Sequence, residues 1–402
     1  MTDPRAARGP APVVLQLALL SFGTFIVGTN GFIIAGLLPD IAASLETTPS
    51  GVGISITVYA AVVAVLAPTF ATLLARVPRT RLMAAGLLVT AVGTAMTALA
   101  GDLTGFILGR AVAGIGGAAI VPTAVAAAAV MVPVSRRGWA IAIVMLGFTF
   151  STALGSPLGT AIAHVGGWQL PLAGVAVLGG LAALLVALVV RGVPVGPPLS
   201  FARRFSVLAE PRILFALLST VFTIAGFNIA YIFSSTFTVD ATGGSGALLA
   251  LLLLGYGVGG IVGNQVAGRL TDRYGNRIVA RILMVTHVVI LLVMPLAEPS
   301  FAALAVVFLV WGFAAFGTGI PAQHRLASVD PDRASVAVSW YSTAVYVGIA
   351  IAPLIGGFAL EAVGPSQVPH AAAISVLVAA VLFQIGYLTR RAPDDPRARE
   401  AA

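Results

Sequence analysis

The sequence predicts an all-α membrane protein with twelve transmembrane helices in two pseudo-symmetric six-helix halves. Three observations lead to this fold class. The composition is 59% hydrophobic and only 9% charged, whereas soluble domains are about half apolar and about 25% charged. The apolar residues form twelve runs long enough to cross a bilayer. The arginines fall on one side of the membrane when these runs alternate in direction.

Each run supplies about 20 apolar residues, which is the length that the hydrocarbon core requires. The first run is too long for a cleaved signal peptide and has no clear small-residue cleavage site after it, so we expect a retained span. The predicted helices lie at about 13–38, 51–75, 82–101, 104–131, 138–163, 168–190, 213–237, 246–268, 278–297, 300–324, 334–360 and 369–389.

The basic residues fix the predicted orientation. All 22 are arginine, and 21 of them fall in cytoplasmic segments when the N-terminus is placed in the cytoplasm. The outer loops instead carry Asp40, Glu46, Asp102, Asp240, Glu298 and Glu361. We therefore expect a multi-pass protein of the cell membrane with both termini cytoplasmic, and we explain the formal charge of +8 by orientation rather than by nucleic-acid binding. The arginine- and alanine-rich composition indicates a bacterium with a GC-rich genome.

Internal repeats divide the chain into two halves. Three pairs of segments recur at offsets of 195, 196 and 197 residues: 31–35 with 226–230, 157–158 with 353–354, and 71–81 with 268–278. We predict an N-terminal half at 1–190, a cytoplasmic linker at 191–212 and a C-terminal half at 213–402. Such halves surround a substrate site near the middle of the membrane.

A short charged segment, GRLTDRYGNR, separates the eighth and ninth runs. Its glycines Gly268 and Gly275 are expected to let two helix ends approach closely and the chain reverse. The segment resembles the loop between the second and third helices of each half in the major facilitator superfamily. That resemblance implies a latch at the inner gate formed by Gly268, Asp272, Arg273, Gly275 and Arg277. The alternative is a simple charged turn, and the first-half copy is degraded.

Arg110 is the one charged residue that falls well inside a predicted span. A charged side chain is costly in free energy to place in hydrocarbon, which marks Arg110 as a functional candidate. The alternative is an arginine that snorkels to the headgroups. Arg110 with Gly114 resembles the fourth-helix motif of proton-linked facilitators, in which the arginine faces the cavity. Gly155, Pro157 and Gly159 resemble the fifth-helix motif of drug antiporters, which implies a gating role; ordinary close packing with a kink is the other interpretation.

The first span closely resembles that of the sugar-efflux, or arabinose-efflux-permease-like, branch of the drug:proton antiporters over Asn30 to Ile41. Many relatives have a glutamate where this chain has Gly31. Because a carboxylate is the usual reversible proton carrier, its absence leaves Asp40, Arg110 or a histidine to couple protons. We expect the ninth span, which carries His287, to lie on the lipid side.

Polar and aromatic side chains in the cavity helices are candidates for substrate contact, because buried amides and phenols need partners that a cavity can supply. The alternative is hydrogen bonding between helices. The predicted substrate-cavity residues are Asn30, Phe32, Tyr59, Arg110, Asn228, Tyr231, Trp311 and Tyr341.

The function that the resemblance implies is secondary active transport by alternating access, with export of small amphipathic or neutral, drug- or sugar-like compounds, in exchange for protons. Two alternatives stay open: an uncoupled facilitator or importer of a small neutral solute, and a non-transporting membrane receptor. An enzyme is not expected, since no nucleophile–base pair or phosphate loop is present. No cofactor or metal is expected, no cysteine is present, and the predicted partners are a small-molecule substrate, membrane lipid and protons. We expect a monomer.

Overall fold

The computed structural model describes residues 12–193, 201–330 and 333–389. Part of the predicted linker and the predicted cytoplasmic arginines Arg5, Arg8, Arg390, Arg391, Arg397 and Arg399 lie outside these ranges. Within them, twelve helical segments are long and apolar enough to cross a membrane. The predicted fold class is therefore confirmed, whereas the predicted limits of the two halves stay a prediction.

The first six spans contain seven helices, because the fifth span is interrupted. Residues Ser151–Gly155 form a π turn between α5 and α6, and Pro157 lies in the first turn of α6. The helices are α1 (Val13–Ser44), α2 (Pro49–Leu73), α3 (Arg79–Ala98), α4 (Leu103–Val130), α5 (Arg137–Phe150), α6 (Ser156–Gly166) and α7 (Gln169–Val189).

The second six spans contain nine helices, preceded by a short connecting helix, α8 (Phe201–Phe205). The seventh span is followed by two helices of one turn each, and the tenth is divided at Thr318. The helices are α9 (Pro211–Ile232), α10 (Ser234–Phe237), α11 (Val239–Thr242), α12 (Gly246–Tyr274), α13 (Asn276–Ala297), α14 (Phe301–Gly317), α15 (Gly319–Val329), α16 (Ala334–Val363) and α17 (Val368–Leu388).

We call the end of the bundle where α1 begins and α2 ends the basic end, and the end where α1 ends the acidic end. Four helices that begin at the acidic end have side-chain N-caps, which satisfy amide groups that a helix start leaves open. The capping residues are Thr48, Asp102, Ser245 and Ser300. Each cap accepts a backbone hydrogen bond from three residues further along, as Asp102 does from Gly105 at 2.7 Å.

The two halves repeat these features at nearly one offset. Thr48 and Ser245 are 197 residues apart, and Asp102 and Ser300 are 198 apart. Close helix contacts repeat as well: a Cβ at Gly114 would meet the carbonyl oxygen of Tyr59, and a Cβ at Gly312 would meet that of Tyr256. The pseudo-symmetry therefore extends from the helix caps to the glycine contacts that let paired helices approach.

The halves meet at the acidic end and near the middle of the bundle. Ser50 Oγ of α2 donates to the Gly357 carbonyl of α16 at 3.5 Å. A Cβ at Gly257 of α12 would lie 2.3 Å from the Ala153 Cα in the π turn. At the basic end, Asp272 is exposed and makes no ion pair with any residue of the described chain. The two halves are thus in contact at the acidic end, and at the basic end the Asp272 carboxylate is unpaired within the described residues.

Several predicted helix limits are corrected by the structure. The first helix continues past Pro39 to Ser44, and the eighth continues through the charged residues to Tyr274 rather than stopping at 268. Gly268 lies inside α12, and a Cβ there would have open space, so the close approach predicted at this glycine is wrong for this conformation. Gly275, with φ +81°, makes the chain reversal alone.

Candidate functional site

Arg110 is the centre of a buried polar cluster in the first half. Its side chain is 1% exposed, and Nη1 donates to the Asn30 carbonyl at 2.7 Å and to Asn30 Oδ1. The Asn30 amide donates in turn to Thr94 Oγ1, whose own hydroxyl donates to the Thr90 carbonyl at 2.6 Å. Snorkelling to the headgroups, the alternative interpretation of Arg110, does not occur.

The surroundings of Arg110 offset much of the cost of its burial. An arginine at the centre of a span costs about 2.5–3.5 kcal/mol on insertion scales, while each hydrogen bond to a charged group contributes about 1.5–3 kcal/mol. The guanidinium carbon also lies 4.3 Å from the centre of the Tyr59 ring, a cation–π contact. Nε and Nη2 nevertheless have no partner within the described ranges, so three of the five guanidinium N–H groups are unpaired.

The corresponding region of the second half is an aromatic cluster. The Tyr256 ring lies 4.3 Å from Trp311, 5.3 Å from Tyr231 and 5.6 Å from Phe316, measured between ring centroids. Phe32 of α1 contacts Tyr231 at 5.8 Å and so joins this cluster to the first half. Such contacts are favourable beyond the apolar area that they bury. One aromatic contact, Phe32 with Tyr231, therefore joins this cluster to the first half, in addition to the contact of Gly257 with Ala153.

His287 lies beside this cluster, although the sequence places its helix on the lipid side. Helix α13 does expose large apolar side chains such as Ile282 and Leu296, but His287 is on its inner face and is 0% exposed. The indole Nε1 of Trp311 donates to His287 Nε2 at 3.1 Å. Because the indole can only donate, Nε2 carries no hydrogen and the neutral ring has its proton on Nδ1.

The two halves differ in chemistry at one repeat position. Tyr256 is the partner of Tyr59 at the 197-residue offset, which is the sequence signal that could have identified it. In the first half, the charged Arg110 lies beside Tyr59. In the second half, the residue equivalent to Arg110 is Phe308, at the same 198-residue offset that relates Gly114 to Gly312. The site is thus asymmetric, with the cation in the first half and aromatic rings in the second.

Asn228 and Tyr341 are not brought into either cluster. The Asn228 amide donates to the Ile224 carbonyl of its own helix at 2.9 Å. Tyr341 lines a small separate cavity within the second half, together with hydroxyl groups of Ser219, Thr223 and Thr318. Asp40 lies at the acidic end, exposed, beside a cavity between the halves.

The predicted gating residues of the fifth span lie against α1. A Cβ at Gly155 would meet Thr29 Oγ1 at 2.4 Å, and one at Gly159 would meet the end of Ile33 at 2.5 Å. These glycines therefore permit the close approach of the two helices. Pro157 lies in the first turn of α6, after the π turn, where a proline costs no helix hydrogen bond.

The charged segment, which forms the end of α12 and the start of α13, contacts aromatic rings through two of its arginines. Arg277 lies with its guanidinium carbon 4.8 Å from the Tyr387 ring centroid, and Arg325 approaches the same ring to 3.9 Å. Arg273 lies over the adjacent Tyr274 ring at 5.2 Å. The Tyr387 hydroxyl donates to Asn276 Oδ1, and thus connects α17 to the start of α13.

Twelve apolar helices in two repeated halves, with a buried polar cluster in one half and an aromatic cluster in the other, are typical of a membrane transporter rather than an enzyme. The sequence profile of the Major Facilitator Superfamily matches residues 20–328 and 215–402. The chain belongs to that superfamily, which confirms the resemblance seen in the sequence.

Known proteins similar to this chain share both its length and its fold. It is 29% identical over 366 residues to an uncharacterized MFS-type transporter, YbcL, of Bacillus subtilis (strain 168), covering 91% of this chain and 94% of that protein. Among solved structures it resembles a bacterial homologue of the human lysosomal transporter Spinster in an inward-facing, occupied conformation, with TM-score 0.74, 17% identity and coverage of 97% and 98%. The nucleoside transporter NupG gives 0.73 at 14% identity, covering 94% and 100%.

Proposed function

We propose that this protein exports small amphipathic or neutral compounds by alternating access. One observation carries the proposal: a buried arginine whose Nε and Nη2 have no partner in the described ranges lies in the first half, and α1 links it, through Asn30 and Phe32, to the aromatic cluster of the second half. Aromatic faces favour lipophilic, planar groups. One cation suits a substrate with one acceptor group better than a dianion, which would need more buried positive charge.

We further propose that export is driven by exchange for protons, with Asp40 as the proton carrier and Arg110 as the group that senses substrate. Asp40 has no ion pair with any residue in the described ranges, so its carboxylate is available to bind a proton. The predicted latch around Asp272 would then engage when the basic end closes. Proton exchange and the latch follow the resemblance to the drug:proton antiporters, whereas Asp40 replaces the carboxylate that this chain lacks at Gly31.

An uncoupled transporter of a neutral solute is the second candidate, and one observation favours it. Within the described spans, the acidic residues are Asp40, Asp272 and Glu361, and each lies near the end of its helix. No carboxylate is therefore placed at mid-depth, where a proton carrier would meet the substrate site.

Accumulation of lipophilic dyes and antibiotics in cells tests both candidates. Cells with the wild type, Arg110→Ala or empty vector are compared with and without a protonophore. Coupled export predicts lower accumulation in the wild type only, and loss of that difference when the protonophore is added. Lower accumulation that survives the protonophore would remove proton exchange as the driving force for export. No difference for any compound would overturn export.

A further inference from the structure

A second cavity lies apart from the mid-depth site, at the acidic end between the two halves. Its size is about 180 Å³, compared with about 150 Å³ for an engineered cavity that holds benzene. The first half contributes Asp40 from α1 and Thr160 and His164 from α6. The second half contributes the hydroxyl side chains Ser235, Thr238 and Thr242 and the start of α12. We call this the vestibule cavity.

The vestibule cavity offers hydrogen-bond acceptors more than donors. Thr238 and Thr242 each donate the hydroxyl proton to a carbonyl of their own helix, at 2.8 Å in both cases. Their hydroxyl oxygens therefore keep lone pairs that accept hydrogen bonds from a bound ligand. Asp40 adds a carboxylate with no ion pair inside the described ranges. Ser235 Oγ is buried and has no hydrogen-bond partner there. The cavity wall therefore contains a polar atom that is free to bond to a ligand.

The charge around the cavity also favours a cation. The acidic end carries Asp40, Glu46, Asp102, Asp240, Glu298 and Glu361, and its basic side chains in the described ranges are histidines. Acidic side chains at one end of a protein raise the local concentration of cations there. Asp40 and His164 are exposed at the mouth, so solvent reaches the cavity from this end.

We propose that the vestibule cavity binds a small organic ammonium ion of about the size of benzylammonium. The ammonium group donates to the Asp40 carboxylate and to the free lone pairs of Thr238 and Thr242. Because the walls come from both halves, a bound guest contacts α1 and α6 on one side and α10 to α12 on the other. Binding therefore favours the conformation in which the acidic end is closed, and opening that end must release the guest.

Binding of benzylammonium to purified protein in nanodiscs at pH 8 tests the site. Benzyl alcohol, which lacks the charge, and benzoate, which reverses it, are the matched ligands, and empty nanodiscs measure partitioning into lipid. We expect saturable binding and a raised thermal midpoint with benzylammonium alone. Asp40→Asn should weaken binding by about tenfold or more, as loss of a charge-assisted hydrogen bond predicts.

Two further variants make the result decisive. Glu361→Gln removes a charge from the same end outside the cavity and should leave affinity unchanged. Thr238→Val keeps the shape but removes an acceptor, and should weaken binding by several-fold even if Asp40→Asn does not fold. Equal stabilisation by benzyl alcohol, or undiminished binding to Asp40→Asn and Thr238→Val, would overturn the proposal.

The predicted effect on conformation has its own readout. The chain contains no cysteine, so spin labels can be placed at Leu99→Cys and Leu296→Cys, two highly exposed positions at the acidic end of opposite halves. Benzylammonium should shift the distances between the two spin labels toward shorter values. A shift toward longer distances would contradict the inference. Neither this test nor the binding test depends on the direction of transport or on proton exchange, so each can fail while the proposed export stands.

Discussion

At the scale of single residues, the organising interaction is a buried cation held by an amide rather than by a carboxylate. Arg110 and Asn30 are 80 residues apart in sequence and meet through two hydrogen bonds. A carboxylate partner would neutralise the arginine and reduce its attraction for a substrate acceptor group. The neutral amide instead orients the guanidinium and leaves its charge available, which agrees with a role in binding.

The first prediction concerns this contact. Asn30→Ala should lower the free energy of unfolding by about 1–3 kcal/mol, because it leaves a buried guanidinium donor with one partner fewer. Asn228→Ala is the matched control in the corresponding span; its amide bonds only to its own helix, so we expect a loss of about 1 kcal/mol or less. Unfolding in mixed micelles measures both. Equal losses of unfolding free energy in the two variants would show that the contact of Asn30 with Arg110 adds no stability of its own.

The second prediction concerns Glu298 at the acidic end. Burial, and secondarily the neighbouring Asp240, raise the pKa of the Glu298 carboxyl from 4.5 to about 7. Below pH 4.5 the group is protonated in both the folded and the unfolded chain and has no effect. Between pH 4.5 and 7 the unfolded chain loses this proton more readily, so stability falls as pH rises; above 7 the loss is complete and constant.

The measurement is the thermal midpoint against pH for the wild type and Glu298→Gln. The variant should be the more stable above pH 7, and the difference should disappear on acidification through the window from 7 to 4.5. Asp240→Asn should lower the pKa of Glu298 and narrow that window. Glu361→Gln controls for removal of a charge from the same end. A difference that does not vary with pH would show that Glu298 ionises as an exposed glutamate does.

At the scale of the helices, the contact between the first and fifth spans depends on small residues and an irregular turn. A Cβ at Gly147 would lie 1.8 Å from the Ser21 carbonyl oxygen, and one at Gly28 would lie 2.0 Å from Ser151 Oγ. Ser151 begins the π turn, and its hydroxyl donates to the Phe148 carbonyl at 2.6 Å. π turns of this kind often mark functional positions in helices.

The third prediction follows from that contact. Gly28→Ala should destabilise the protein by about 1–3 kcal/mol, as overpacking typically does, and reduce transport. Ser151→Gly removes both atoms that the new methyl group meets most closely, so the double variant should recover most of the loss. Gly180→Ala, where a Cβ has open space, is the control for alanine in a membrane helix. Failure of the rescue, with each single variant folded, would contradict this packing account.

Hydropathy predicted the twelve helices because apolar length is a local property of the sequence. The same approach placed the end of the eighth helix too early, since charged residues end a membrane span but do not break a helix; α12 continues through Asp272 to Tyr274 and stops only before Gly275. The Asn30–Arg110 contact and the inward side of His287 depend on which faces of distant helices meet. No local pattern contains that information, although the 197-residue repeat could have indicated Tyr256.

At the scale of the whole molecule, the two halves are held together chiefly at one end. Gly53 lies against Pro353, and Gly357 lies against Ser50, so α2 and α16 approach closely at the acidic end. Because the exposed Asp272 segment has no ion pair in the described ranges, little opposes separation at the basic end. Alternating access requires that these acidic-end contacts break when the basic end closes.

The fourth prediction tests whether that separation is part of the transport cycle. A Cβ at Gly357 would lie 3.1 Å from the Ser50 Cβ, close to the separation of about 3.5–4.5 Å in a disulfide. Ser50→Cys with Gly357→Cys should therefore cross-link on oxidation, and the cross-link should abolish transport until a reductant restores it. Each single cysteine variant is the control, since the chain has no cysteine of its own. Full transport by the cross-linked protein would mean that the acidic end need not open at this contact, which would exclude the rocking of one half against the other as the mechanism.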